Sequence, residues 1–429
     1  MSTLRWQVLD LTGESVHAKV GEEWNELWER SSVTHATARW EHVVNWQRIF
    51  APESRLLAVT VHEGEHLRAA LPLIQGRAKK IIPVWRSLCS DWGMAGDLLV
   101  DSLSSHPEAV FDHLVDGIRS LRRPWLWFDV VDLGQARWQG LLAALDRRNL
   151  SHVARERFPV GKIVIHGPNA PCDWAAYQAA WSGNFRRQMR KMIRRVEELG
   201  GVQLEIHRPH NRLDITELLQ RGFAVEDRGW KGAAGSSVLR TPLAMRFYQE
   251  QAESLAKEGQ LELAFLRHQN IDIAFEYAWF SKGVYCTPKV GYDEQYSHLT
   301  PGQLIRYLTL ERFFNDPARR QFDFVGPLSD ATAKWANETY SISSLVVSTG
   351  RLGSNFSLHM AKRLGPKLAQ LARNCRAWIS PTLGESHGSD SKAAIELLSV
   401  EKSKSESQEL KLPPSQSPTA TSTLQSEHV

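Results

Sequence analysis

The sequence predicts an α/β protein made of two similar modules in tandem, and three observations carry that expectation. At 429 residues the chain is too long for one average domain of about 150 residues. Strand and helix signals alternate along most of its length, as they do in sheets covered by helices. Both halves also run through one order: a hairpin, a helix, then a short apolar strand with a Phe-Asp pair. That strand is Trp125-Leu-Trp-Phe-Asp-Val in the first half and Phe322-Asp-Phe-Val in the second.

Taken in order, Arg5–Leu11 alternates as a strand and Glu22–Arg30 reads as a helix. Leu56–His62 and His66–Ile74 flank Glu63-Gly64-Glu65, a hairpin with a tight glycine-containing loop. A helix over Pro107–Ser120, an apolar strand over Trp125–Val131 and a helix over Ala136–Arg147 complete the first half. In the second, a helix near 241–257 starts with Thr241 as N-cap and Pro242 at its first position. The second hairpin joins Leu261–Arg267 to Ile271–Phe280 through His268-Gln269-Asn270. Val284–Tyr292 is a further strand, leading through Thr300-Pro301-Gly302 into a helix that ends at Phe314. The strands Gln321–Val325 and Ser341–Val347 follow. The expected boundaries are 1–168 for the first module, 169–350 for the second, 351–381 for C-terminal helices and 382–429 for a disordered tail. Beyond Trp378 no aromatic residue occurs, and the Ser, Lys, Glu, Gln and Pro found there cannot bury enough apolar surface to offset ordering. A short helix near Ala393–Val400 is the exception expected within it.

Composition narrows the function classes. The chain is 42% hydrophobic and 23% charged, as a folded protein is, and its sixteen Trp demand burial or a ligand. A net charge of +4 is too small to argue for DNA, so any nucleic-acid partner must be served by a local cluster. The N-terminus has no apolar signal region and no stretch approaches the roughly 20 apolar residues of a membrane span, so a cytoplasmic location is expected. Cys89, Cys172, Cys286 and Cys375 stand far apart without a CxxC pair, which reads as buried free thiols and no metal.

Four stretches carry chemistry. From Trp181 to Gly201, Phe185, Met189, Met192, Val196 and Leu199 mark the apolar face of a helix that Gly200-Gly201 stops. Arg186, Arg190 and Arg194 form one row on another face, with Arg187, Lys191 and Arg195 beside it. These cations are a solvated face, a dock for the phosphates of a coenzyme or anionic acceptor, or an RNA-binding helix. The second stretch is Phe223-Ala-Val-Glu-Asp-Arg-Gly-Trp-Lys-Gly, where glycines shape a loop around Trp230 and Lys231, and Glu226 at its mouth is a general base or an ordinary surface or helix-end carboxylate. In the third, Lys289 to Leu304, the helix opening at Thr300 offers unpaired N–H groups to a pyrophosphate. In the fourth, Asp323 lies on an apolar strand and needs partners, in a structural or catalytic role.

The Arg-rich helix, Gly229-Trp-Lys-Gly, Tyr292…Ser297-His-Leu-Thr-Pro-Gly-Gln-Leu and Asp323-Phe-Val-Gly-Pro…Lys334-Trp335 occur in that order. Together they resemble the GNAT-like acetyltransferases associated with cellulose biosynthesis, relatives of the Fem-type peptidyltransferases. The resemblance is good over about 175–340 and faint before it. It implies a GNAT fold with a mixed, strongly twisted sheet, duplicated in tandem, and acyl transfer from acyl-CoA (acetyl-CoA) to an amine or hydroxyl on a small molecule or saccharide, as in polysaccharide or cell-envelope synthesis. It assigns Lys289–Tyr292 to the splayed strand that pairs with the donor, and Thr300, Gly302, Gln303 and Leu304 to the phosphate cradle. Arg186, Arg190, Trp230 and Lys231 fall to the substrate, and proton removal to Glu226 or Asp323. Thr300-Pro-Gly-Gln departs from the usual Arg/Gln-x-x-Gly-x-Gly/Ala loop. An aminoacyl-tRNA donor, or a GNAT-like module that only binds, therefore stays open.

Overall fold

The computed structural model describes residues 3–12, 17–78, 81–165, 170–351 and 353–360, all within one compact unit, Met1–Gly365. The C-terminal helices expected over 351–381 are seen only as a helical stretch over residues 354–360. Their remainder, the helix near 393–400 and the expected tail lie outside the described residues.

The first half contains β1 (Leu4–Asp10), α1 (His17–Arg30), α2 (Trp40–Phe50), β2 (Leu56–Glu63), β3 (His66–Ala78) and β4 (Ile82–Arg86). It continues with α3 (Pro107–Ser120), β5 (Trp125–Asp132), α4 (Ala136–Arg147) and β6 (His152–Val164). Two helices, α5 (Trp174–Ala180) and α6 (Gly183–Glu198), precede the second half. There follow β7 (Gln203–His207), α7 (Arg212–Asp227), α8 (Trp230–Ala233), α9 (Pro242–Lys257), β8 (Leu261–His268), β9 (Ile271–Ser281) and β10 (Val284–Tyr292). It ends with α10 (Pro301–Phe314), β11 (Gln321–Pro327), α11 (Asp330–Ala333) and β12 (Glu338–Ser348).

The strands join one mixed sheet in the order β1-β2-β3-β4-β5-β12-β6-β11-β10-β9-β8-β7, with a short strand at Leu99–Val100 beside β3. Each strand of the first half corresponds to the one six places later, and swapping partners throughout returns the same order reversed. The sheet therefore has a topological two-fold. At its centre the halves exchange strands. β5 pairs with β12 instead of β6, and β11 pairs with β6. The exchanged strands meet from Glu338↔Lys162 to Val347↔His152.

Local chemistry explains the elements. Gln269 and Asn270 take φ of 48° and 67°, the left-handed pair that closes the β8–β9 hairpin in two residues. On α6, the Ser182 hydroxyl accepts from the Phe185 N–H at 3.2 Å, and Phe185, Met189, Met192 and Val196 are buried. Leu199, expected on that face, is the C-cap and is exposed. One apolar cluster spans both halves, joining Trp24, Trp28 and Trp46 to Phe223, Phe247 and Tyr248. Arg39 pairs with Glu258 at 3.1 Å across the same boundary.

Because β12 closes the first half, a fragment ending at residue 168 leaves the β5 edge open and β6 without either partner. Such an edge is a template for aggregation. The fragment is expected to show no cooperative unfolding transition and to self-associate, measured by circular dichroism and sedimentation. A monomer with the melting behaviour of the whole chain would show that the exchange is dispensable.

Candidate active site

Parallel strands β10 and β11 are paired only through Val284↔Gln321, Tyr285↔Phe322 and Cys286↔Asp323, and then diverge. Two distortions produce the opening. On β10, Thr287 and Pro288 together face one residue of β9, since Cys286 pairs with Trp279 and Lys289 with Tyr277. Arg306 of α10 reaches the bulge, donating to Thr287 Oγ1 at 2.9 Å. On β11, Phe324–Gly326 sit between Asp323↔Lys162 and Pro327↔Val160, and Val325 takes φ of 59°. A β-branched residue there is strained. The Val325 N–H donates to Asp323 Oδ1 at 2.8 Å, which holds the turn.

Asp323 stands at the vertex, 8% exposed. The Tyr340 hydroxyl donates to its carboxylate at 3.1 Å, and Gln321 Nε2 at 3.3 Å. Burial raises its pKa above the ordinary aspartate value, with the Val325 N–H, Tyr340 and the Lys162 charge pulling the other way. The neighbouring Cys286 thiol is pushed up by burial and by Asp323, which disfavours its thiolate. Beyond the vertex, Lys289–Tyr292 pair with β9 alone, and the pleat turns the N–H groups of Val290 and Tyr292 toward the open edge.

Glu226 ends α7 against this strand. A Cβ on Gly291 would lie 2.8 Å from Glu226 Cα, so only glycine permits the approach. Glu226, 3% exposed, has both oxygens engaged: Oε1 accepts from Lys231 at 2.6 Å and Oε2 from the Val238 N–H at 3.1 Å. The pair fixes the loop and leaves Trp230 60% exposed at its edge. The structure thus brings Glu226, Lys231, Gly291 and Lys289 together, with Asp323 on the neighbouring strand.

At the start of α10, Thr300 takes φ of 51° and its carbonyl already accepts from the Gln303 and Leu304 N–H groups. Gly302 keeps the unpaired N–H of this first turn among the described residues. Gln303 Oε1 accepts from Trp335 Nε1 at 2.7 Å, and Leu304 is buried. Trp335 packs edge-on against Trp181 and Phe185, tying the α10 opening to α6. Along α6, Arg186, Arg190 and Arg194 face Trp181, Gln178 and Tyr307 across a groove of about 650 Å³. Arg186 donates to the Ala179 carbonyl at 2.8 Å, while Arg190 has no hydrogen-bond or ion-pair partner among the described residues.

The first half has the matching opening, since β4 and β5 pair only through Trp85↔Leu126 and Arg86↔Trp127. Here the chain leaves β4, forms a small hairpin (Leu88↔Ala95, Cys89↔Met94), and returns to β3 at Leu99. That insertion occupies the opening and leaves a cavity of about 30 Å³, room for little more than a water. It is pinned by Asp97, which accepts from Arg137 at 2.6 Å and Trp138 Nε1 at 3.1 Å. Burial raises the Asp97 pKa, but Arg137 and His35 outweigh it and hold the carboxyl well below its usual range. Cys89 is pushed up to about 11 by burial. The open cleft belongs to the second half.

Sequence reasoning missed Tyr340, whose hydroxyl finds Asp323 only through the strand exchange, and Trp92, whose insertion carries no motif. Cys172 is exposed, not buried. No group of His, Cys, Asp or Glu suited to a metal occurs among the described residues, and none of their helices is long and apolar enough to cross a membrane.

Residues 183–340 match the family model described as an acetyltransferase (GNAT) domain. No curated protein matches the chain in sequence. Among solved structures, FemX is 10% identical with a TM-score of 0.49, over 76% of this chain and 95% of that one. A tandem GNAT protein from the clavulanic acid biosynthesis pathway is 12% identical with a TM-score of 0.43, over 81% and 100%. The C-terminal domain of a putative lysylphosphatidylglycerol synthetase from Agrobacterium fabrum is 12% identical with a TM-score of 0.46, over 81% and 97%.

Proposed function

We propose, from the premise that residues 183–340 carry a GNAT acetyltransferase domain, that the protein moves an acyl group from acyl-CoA to an amine or hydroxyl of a small molecule or saccharide. The observation that carries this reading is the divergence of β10 from β11, which leaves a strand edge open to an extended thioester arm. The donor's pantetheine lies along Lys289–Tyr292, its pyrophosphate toward Thr300, Gly302, Gln303 and Leu304, and its carbonyl near the bulge at Thr287–Pro288. The acceptor attacks the carbonyl carbon, its proton passes to a carboxylate, and the thiolate leaves. Of the two carboxylates, Asp323 suits proton transfer better, because burial raises its pKa and its hydrogen bonds come from neutral donors, whereas Glu226 is committed to an ion pair with Lys231. Glu226 then acts as the anchor of Lys231 and Trp230 at the acceptor side.

One observation favours an aminoacyl-tRNA donor instead. The start of α10 offers one unpaired N–H to a pyrophosphate, while Arg190, Lys191 and Arg195 of α6 have no hydrogen-bond or ion-pair partner among the described residues. Calorimetric titration with acetyl-CoA, longer acyl-CoAs and charged tRNA separates the readings. Saturable acyl-CoA binding with no response to charged tRNA supports the first; the reverse supports the second, and no binding of either sinks both.

Changing Arg186 and Arg190 together to Ala is expected to weaken binding of the phosphate-bearing donor by about 1–3 kcal/mol, through loss of charge-assisted bonds. Melting should hardly change, because both lie off the buried face. Unaltered affinity with no salt dependence would make these arginines a solvated face.

A further inference from the structure

The insertion that fills the first cleft reaches the second. Its Trp92 carbonyl accepts from the Tyr248 hydroxyl of α9 at 2.6 Å, and the Trp46 Nε1 donates to the Gly93 carbonyl at 3.0 Å. A Cβ on Gly93 would meet the Phe247 ring at 2.9 Å, so the tip is packed tightly onto α9. Between these elements lies Lys289 of the open strand. Its Nζ is 4.9 Å from the centre of the Trp92 ring and 5.3 Å from that of Tyr248.

The charges around Lys289 do not balance. Three titratable groups face it from the packed elements: Lys231 of α8, Glu226 of α7 and Tyr248 of α9. Glu226 is committed to Lys231 and to the Val238 N–H. Two ammonium groups therefore share one carboxylate, and Lys289 has no ion-pair or hydrogen-bond partner among the described residues. The Trp92 indole N–H likewise has no acceptor among them. A half-buried ammonium against two rings, one of which carries an unused indole donor, and with the facing carboxylate already engaged, can take up one anion. Burial holds the Lys289 ammonium down to about 8, with Lys231 pushing it further and Glu226 opposing.

We propose that Lys289 and Trp92 form a subsite for an oxyanion group of the acceptor, a carboxylate or phosphate monoester that pairs with the ammonium and accepts from the indole N–H. The subsite is built by both halves. Trp92 comes from the blocked cleft of one and Lys289 from the open strand of the other. It rests on the acyl-transfer reading for the word acceptor, but the binding of an anion does not.

The test uses the full chain with lysine side chains isotopically labelled, and follows the Lys289 ζ-resonance by NMR through a pH titration. Acetate and inorganic phosphate are the probes for the two oxyanion types, with chloride at matched ionic strength as control. Saturation with the preferred probe is expected to raise the Lys289 midpoint from about 8 by at least one unit, equivalent to at least tenfold tighter binding to the protonated form. Trp92→Phe, which keeps the ring and removes the indole donor, should weaken that probe several-fold. In Lys289→Met the saturable binding seen by calorimetry should vanish, with the melting temperature checked in parallel. Failure of both probes to move the midpoint beyond the chloride control would overturn the proposal, as would equal binding in Lys289→Met. Loss of acyl-CoA binding alone would instead remove the acyl-transfer reading and leave the oxyanion site standing.

Discussion

Asp323→Asn is expected to lower turnover about 10²–10⁴-fold, the usual contribution of a positioned general base. Asn keeps the oxygen that accepts from Val325 and Tyr340 but cannot take up a proton. The ionised carboxylate is the accepting form, and burial raises its pKa. Wild-type kcat should therefore climb with pH through a midpoint above the ordinary aspartate value of about 3.9, and this limb should disappear in the variant. Steady-state rates from pH 4 upward, with a melting curve for each protein, check both statements. In contrast, Glu226→Gln should act mainly on the acceptor KM, by loosening Lys231 and the Trp230 loop. An active Asp323→Asn beside an inactive, well-folded Glu226→Gln would reverse the two roles.

Trp335→Ala should be the most destabilising single change near the cleft. The side chain is 2% exposed, lies edge-on to Trp181 and Phe185, and donates to Gln303. Deleting a buried Trp typically costs about 3–5 kcal/mol, because the cavity collapses only partly. Tyr177 also donates to the Trp335 carbonyl, but that bond survives the substitution. The loss should thus show as looser docking of α6 on α10: a lower denaturation midpoint together with weakened donor binding. An unchanged midpoint would mean that Trp335 is not what holds the two helices.

Much of the fold was legible wherever the signal is local. The hairpins at 64–65 and 269–270, the helix starting at Pro242 and the amphipathic α6 each carry their own turn residue, cap or period. What escaped was non-local. The first seven residues of β6, His-Val-Ala-Arg-Glu-Arg-Phe, carry three charges in a row and are exposed over 154–157, so no apolar period marks them. Nothing near Ser341–Val347 says that it belongs beside Trp125–Asp132, some two hundred residues earlier. The same limit applies to the cleft. The strand ending at Tyr292 and the helix opening after Thr300 carry local signals, and the resemblance assigned their residues to a donor, whereas the contacts of Trp92 with Lys289 and of Tyr340 with Asp323 exist only once distant segments fold together.

The crossed closure of the sheet has a consequence for biosynthesis. The strand that seals β5 leaves the ribosome about 200 residues after it, which at about 5–20 residues per second is roughly 10–40 s. For that interval the nascent first half presents an unsealed strand bearing Trp125 and Trp127, long compared with the microseconds to milliseconds of local folding. The halves therefore cannot mature one after the other. Production of this protein rests on something shielding that edge, a chaperone or the chain's own collapse, until the last strand arrives.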